Sequence, residues 1–221
     1  MGRLDNAKTY DCPLRFTITE CEAGWTHMVC DFYGTALEFH ISDLGDQPSA
    51  LIEAVQAFHA DADNYDGIRS IYVDRKDKIP DLEGNCWDDV VVRTSFNWEE
   101  EPQEVEWWIV MDPKDHGPEN FPLEISIERW DFDFPENYQF NVMYRDLCYA
   151  VAKCFTDALK KYGFEGYHSG SYTDDINVRE LLIIKAYALG ILSNLTSLDK
   201  VPEYRYDFTF EEELQLLKMD M

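Results

Sequence analysis

From Glu104 to Met111 the side chains alternate, with Val105, Trp107, Ile109 and Met111 on one side and Glu104, Glu106, Trp108 and Val110 on the other. A strand sends successive side chains to opposite faces, so this order commits the segment to a sheet with one buried face and one wet face. A return segment repeats the pattern, Leu123, Ile125 and Ile127 opposing Glu124, Ser126 and Glu128. The phase then shifts by one residue and Trp130, Phe132 and Phe134 become the apolar set, which predicts a β-bulge near Glu128–Arg129. On that register Glu124, Glu128, Asp131 and Asp133 share one face. The connection MDPKDHGPENFP, with three prolines and a glycine, reads as a loop.

Charge gathers on the same hairpin. Residues 97–136 carry 13 carboxylates against two cations, Lys114 and Arg129, together with four of the six tryptophans, whereas residues 137–221 hold 13 acids and 9 bases. The whole chain of 221 residues has a formal net charge of −25. Such a balance argues against holding a phosphate backbone or an anionic membrane surface, and favours a basic partner. No apolar run approaches the roughly 20 residues of a membrane-spanning helix, and MGRLDNAKTYD lacks the pattern of a signal peptide.

Around the hairpin the chain reads as α+β, a single domain in which a mainly antiparallel sheet is covered by helices. Leu14, Phe16 and Ile18, then Leu37, Phe39 and Ile41, alternate with polar residues and predict a meander of two or three strands. IRSIYV and DVVVRTSF add further strands. Leu51, Ile52, Val55 and Phe58 stand at helical spacing, predicting a helix over about 48–60 capped by Asp46 or Ser49. A second helix, over 142–162, has Leu147, Val151, Cys154, Phe155, Ala158 and Leu159 in one stripe, Asn141 before it and Gly163 as its stop. A third, over 178–192, begins with Asn177 and Glu180 at capping-box spacing. Near the end Tyr204, Tyr206, Phe208 and Phe210 alternate as a strand would, and Thr209 with Glu212 predicts a second capping box opening a short C-terminal helix.

Motifs for chemistry are incomplete. DADNYDG has Asp66 where a calcium loop turns on glycine and Tyr72 where it needs a bidentate Glu, so it reads as a turn. GYHSGS lacks the G-x-S-x-G order of a nucleophile elbow. His27, His40, His59, His116 and His168 show neither H-x-x-x-H nor H-E-x-x-H spacing, and no cofactor or metal site is expected from them. Six cysteines without a C-x-x-C pair read as reduced, mostly buried thiols of a cytosolic protein.

What remains is a surface. The expected partner-binding set comprises Glu99, Glu100 and Glu101, the strand residues Glu104, Glu106, Glu124 and Glu128, Asp131 and Asp133, and two rings, Trp98 and Trp108, expected on the carboxylate side. Trp107 and Trp130 are expected in the core. Exposed ion pairs contribute only about 0–1 kcal/mol each, so carboxylates would steer encounter while a desolvated tryptophan, worth about 2 kcal/mol or more, would hold the complex.

WEEEPQEVEWWIV followed by LEISIERWDF, and then a helix ending in KKYGFEGY, resembles the acidic, tryptophan-rich immunity proteins that bacteria keep in the cytosol against toxins delivered by neighbours. The resemblance spans roughly residues 90–170. It implies a non-enzymatic inhibitor that occupies a toxin domain, often a basic nuclease, by acidic complementarity, and it maps no family site residue onto this chain. Two other classes stay open: a nucleic-acid mimic that occupies a DNA- or RNA-binding protein, and an enzyme with a carboxylate site of unfamiliar form.

Overall fold

A computed structural model of the chain describes residues 10–44, 47–58, 72–75, 90–101, 103–111, 120–130, 135–171, 174–191 and 209–221, with the backbone alone at 72–75 and 90–92. Two antiparallel sheets and four helices make an α+β fold. The first sheet is the expected meander, β1 (Leu14–Glu22), β2 (Trp25–Phe32) and β3 (Thr35–Ser42), in the order β1-β2-β3. Both of its turns are two-residue loops with positive φ at each position, Ala23-Gly24 and Tyr33-Gly34. That is the type I′ geometry whose twist matches the flanking strands.

The second sheet has five strands in sequence order: β4 (Tyr72–Arg75), β5 (Val90–Glu99), β6 (Glu104–Met111), β7 (Pro122–Trp130) and β8 (Glu136–Met143). Alternation in β6 and β7 is as the sequence predicts, with Val105, Trp107, Ile109, Met111, Leu123, Ile125 and Ile127 all buried. The predicted bulge is not there. From Glu104↔Trp130 through Val110↔Glu124 the β6–β7 ladder keeps one register, and β7–β8 holds its own through Arg129↔Glu136. Trp130 therefore stays in phase with Glu124 and Glu128 and is 52% exposed, which corrects its expected place in the core. The apolar Phe132 and Phe134 that suggested the phase shift lie outside the described residues, as do Asp131 and Asp133. A register shift does occur in β1, between Ile18 and Glu20.

The inner faces of the two sheets meet through aromatic rings. Phe39 contacts Trp98 and Trp107 at centroid separations of 5.2 and 5.5 Å, Trp98 meets Trp107 edge-on at 5.0 Å, and Phe32 stacks on Phe140 at 4.1 Å. Such offset and edge contacts add about 0.5–1.5 kcal/mol per pair to the burial of the rings themselves. Trp98, expected on the carboxylate side, belongs to this layer. It pairs with Val105, is fully buried, and donates through Nε1 to the Gln47 carbonyl at 3.3 Å.

Helices close the core. Helix α1 (Ala50–Ala57) is shorter than expected, and Ser49 sits at its N-cap without a capping bond from its own side chain. Asp174, 125 residues away, instead fixes the N-cap residue itself, accepting from the Ser49 amide at 3.1 Å and from the Ser49 hydroxyl. Helix α2 (Tyr144–Ser171) carries the predicted stripe, and Gly163 breaks it as expected, with φ 72° and ψ 172°. The chain then turns helical again through Ser171, so Gly163 is a kink between two helical pieces and not the end. At Gly170 a Cβ would lie 2.5 Å from the Cys21 carbonyl oxygen; without one, Gly24 N–H donates to the Gly170 carbonyl at 2.8 Å and pins the β1–β2 turn to α2.

Helix α3 (Val178–Ala188) starts at Asn177, but the capping bond predicted there does not form. Helix α4 (Phe210–Lys218) starts at Thr209 with both bonds of the capping box in place. Phe210 opens this helix and is exposed, so it is not a strand residue; Tyr204, Tyr206 and Phe208 lie outside the described residues. Cys12, Cys21, Cys30, Cys148 and Cys154 are free thiols, all but Cys12 buried, and burial pushes each of them up from its ordinary value.

Candidate functional site

Register decides which side chains share the outer face of the five-stranded sheet. One row runs Glu99, Glu104 and Trp130; the next Asn97, Glu106, Glu128 and Asn137; then Ser95, Trp108, Ser126 and Gln139; then Arg93, Val110, Glu124 and Asn141. Among the described side chains of these rows, five carboxylates stand beside one guanidinium. That of Arg93 lies 4.5 Å from the centre of the Trp108 ring, so it is a cation–π partner on the face. Trp108 itself is half-buried, as the carboxylate-side reading requires.

Two of these rows place like charges directly opposite each other, Glu99 against Glu104 and Glu106 against Glu128. Opposed like charges destabilise a strand pair by up to about 1 kcal/mol. One of the four is partly compensated: Asn97 Nδ2 donates to Glu104 Oε1 at 2.6 Å. The outer face thus stores repulsion that a cationic partner would relieve.

At the end of the sheet the β5–β6 connection carries Glu100 and Glu101. Glu101 is exposed, whereas Glu100 turns back toward the three-stranded sheet and is only 6% exposed at its side chain. Its carboxylate accepts from the His40 backbone N–H at 2.7 Å and pairs with Arg129 at 3.0 Å. Between the sheets this leaves an open cleft of about 630 Å³ lined by Trp25, His27, Glu38, His40, Glu100, Glu101, Gln103 and Arg129.

Of the sequence-predicted set, Glu99, Glu104, Glu106, Trp108, Glu124 and Glu128 share the outer face, and Glu100 and Glu101 border the cleft. Trp98 is in the core and cannot touch a partner while the fold is closed. Residues the hairpin pattern did not single out are Trp25, His27 and His40 on the outer face of the three-stranded sheet. A signal for them exists in the Tyr33-Gly34 turn: a two-residue loop there fixes His27 opposite His40. Elsewhere His168 Nδ1 lies 3.0 Å from Asp175 Oδ1 on the surface, beside the exposed Ser169.

Among the described residues no three His, Cys, Asp or Glu side chains gather closely enough to enclose a metal ion, and no helix is long and apolar enough to cross a membrane. Fold and site together define an α+β protein whose five-stranded sheet turns a carboxylate-rich face outward. No family model, no curated protein and no solved structure matches the chain.

Proposed function

We propose that this protein is a non-enzymatic, acidic binding protein of the cytoplasm that neutralises a basic partner, and that the partner is a toxin domain, so that the chain acts as an immunity protein. The observation that carries the reading is the outer face of the five-stranded sheet, where Glu99/Glu104 and Glu106/Glu128 are held in opposition beside Trp108 and the half-exposed Trp130. Carboxylates crowded against their mutual repulsion gain when a cationic surface arrives, and large rings among them supply the desolvated contact that ion pairs cannot.

The test is direct mixing with basic effector domains, nucleases among them and including any encoded beside this gene, at low salt. A submicromolar complex is expected, with association slowed strongly and dissociation changed little as salt is raised. Failure to form a submicromolar complex with any of them, the genetically adjacent one included, overturns the reading.

A further inference from the structure

Outside the acidic face, the cleft holds a pair of imidazoles. His27 on β2 and His40 on β3 are directly opposite each other, and His40 Nδ1 stands 3.3 Å from His27 Nε2. Behind His27, on the far side of its ring, Glu20 Oε2 lies 3.7 Å from Nδ1. Glu20 is brought there by register, since the shift in β1 makes it the cross-strand neighbour of His27.

We propose that His27 and His40 are two ligands of a binding site for a borderline first-row dication, Zn²⁺ being the type, with the remaining coordination positions open to the cleft. Separation is the first argument. Two imidazole nitrogens bound to one tetrahedral ion at about 2.0–2.1 Å stand roughly 3.3 Å apart, the spacing already present, and the rings, now edge-on with centres 4.2 Å apart, swing outward to about 5 Å to aim both lone pairs at the ion. Orientation is the second. The Glu20 carboxylate, 3.7 Å from Nδ1, favours the tautomer with its proton there, which leaves the Nε2 lone pair of His27 facing His40; a small closing movement would make the carboxylate–imidazole hydrogen bond that usually supports a metal-bound histidine.

Protons balance without a co-reactant. With the His27 proton on Nδ1, the 3.3 Å contact has His40 Nδ1–H as its donor and His27 Nε2 as its acceptor. When the ion binds, the His40 proton moves to its own Nε2, which frees Nδ1 as a ligand, and both rings stay neutral. The field favours a dication: among the described residues Glu20, Glu38, Glu100 and Glu101 border the pair, Arg129 in the same cleft is matched by Glu100 at 3.0 Å and Glu136 at 3.5 Å, and Lys161 is held on the Thr19 carbonyl at 2.8 Å. Glu38 shares the outer face of β3 with His40, and Glu101 lines the cleft, so either carboxylate is a candidate third ligand on turning its side chain; water fills what they leave. Nitrogen ligands select Zn²⁺, Ni²⁺ or Co²⁺ over Mg²⁺ and Ca²⁺.

The experiment is titration of the full chain with Zn²⁺ at neutral pH by calorimetry, alongside His27→Ala, His40→Ala and Glu20→Gln, with each variant's thermal melt recorded. One equivalent bound in the micromolar range is expected, with a loss of tenfold or more in either histidine variant and about tenfold in Glu20→Gln. A readout on the unaltered protein guards against unfolded variants: Co²⁺ should broaden the ring resonances of His27 and His40, and excess Mg²⁺ should not. Affinity unchanged within twofold in both histidine variants, equal competition by Mg²⁺, or no binding below millimolar Zn²⁺ overturns the proposal.

Discussion

Arg129 and Glu100 form an ion pair, Nε to Oε2 at 3.0 Å, that lies along the free edge of β3. The guanidinium donates through Nη2 to the Glu38 carbonyl at 2.6 Å, and the carboxylate accepts from the His40 N–H at 2.7 Å. The pair thereby supplies both bonds that a neighbouring strand would make there, and it ties the end of the five-stranded sheet to the edge of the three-stranded one. Edge strands invite pairing with another chain, and covering them is how soluble proteins prevent it.

Arg129→Met should therefore act twice. It strands a carboxylate that is almost fully covered and one edge carbonyl, a cost of about 2–3 kcal/mol, or roughly 5–10 °C in melting temperature for a chain of this size. It also uncovers the edge of β3, so light scattering should detect self-association at high concentration. A variant that melts and scatters light as the parent does would reduce the pair to a surface contact.

Asp174 joins α1 to the end of α2, accepting from the Ser49 amide, the Ser49 hydroxyl and the Tyr167 hydroxyl, the last at 2.6 Å. Asp174→Ala leaves all three donors without an acceptor and should cost about 3 kcal/mol or more; Asp174→Asn, which keeps one acceptor oxygen, should cost less. Burial raises the Asp174 carboxyl above its ordinary value of 3.8, more than its hydrogen bonds lower it. A carboxyl raised in the fold stabilises it below the unfolded value and loses that contribution as pH rises through the folded one. Chemical denaturation across the acid range should then show the parent's advantage over Asp174→Asn shrinking with increasing pH.

Lys185 is fully buried on α3, donating to the Met219 carbonyl at 2.8 Å and the Thr156 hydroxyl at 3.4 Å. Burial lowers it to about 8. The sign is opposite to that of Asp174. Between about 8 and the unfolded value near 10.4 the unfolded chain holds more protons, so stability rises with pH, by an amount on the order of 3 kcal/mol if the whole shift is expressed. Urea midpoints taken at pH 7 and pH 10 should show the parent gaining on Lys185→Met. An equal change in both proteins would mean that Lys185 titrates as an exposed lysine.

The sheet was readable in this sequence because its period-2 pattern is carried by large residues: Trp107, Ile109, Leu123 and Ile125 have one way to be buried together. The same reasoning failed at Trp130. An apolar ring after a polar pair looks like a change of phase, and only the ladder from Glu104↔Trp130 onward shows that the strand continues without one. Trp98 was misplaced because the strand DVVVRTSF was ended at Phe96; carried two residues further, Phe96 and Trp98 alternate with Asn97 and Glu99 and point inward, as Val105 across the ladder requires. Capping was legible where it is local, as at Thr209 and Glu212, and hidden where the acceptor comes from far along the chain, as Asp174 does for Ser49. The cleft was hidden for the same reason, since His27, Glu100 and Arg129 meet only once two sheets are in place.

Glu106 and Glu128 provide the sharpest test of the proposed binding face, because stability and function pull them in opposite directions. The two carboxylates are direct cross-strand neighbours on the outer face, so Glu128→Lys replaces a repulsion with an attraction and should stabilise the isolated protein by about 0.2–1 kcal/mol. The same change puts a positive charge in the middle of the surface offered to a basic partner, and should slow association several-fold at low salt while altering dissociation less. Ser169→Lys, on the exposed end of α2, raises the net charge without touching that face, though its step is one unit where Glu128→Lys makes two. Rapid-mixing kinetics against a basic effector domain should find Ser169→Lys close to the parent and Glu128→Lys well below it. Slowing in proportion to the charge step, with Ser169→Lys giving about half the logarithmic effect of Glu128→Lys, would mean that total charge alone governs encounter, and the sheet face would lose its claim to be the contact.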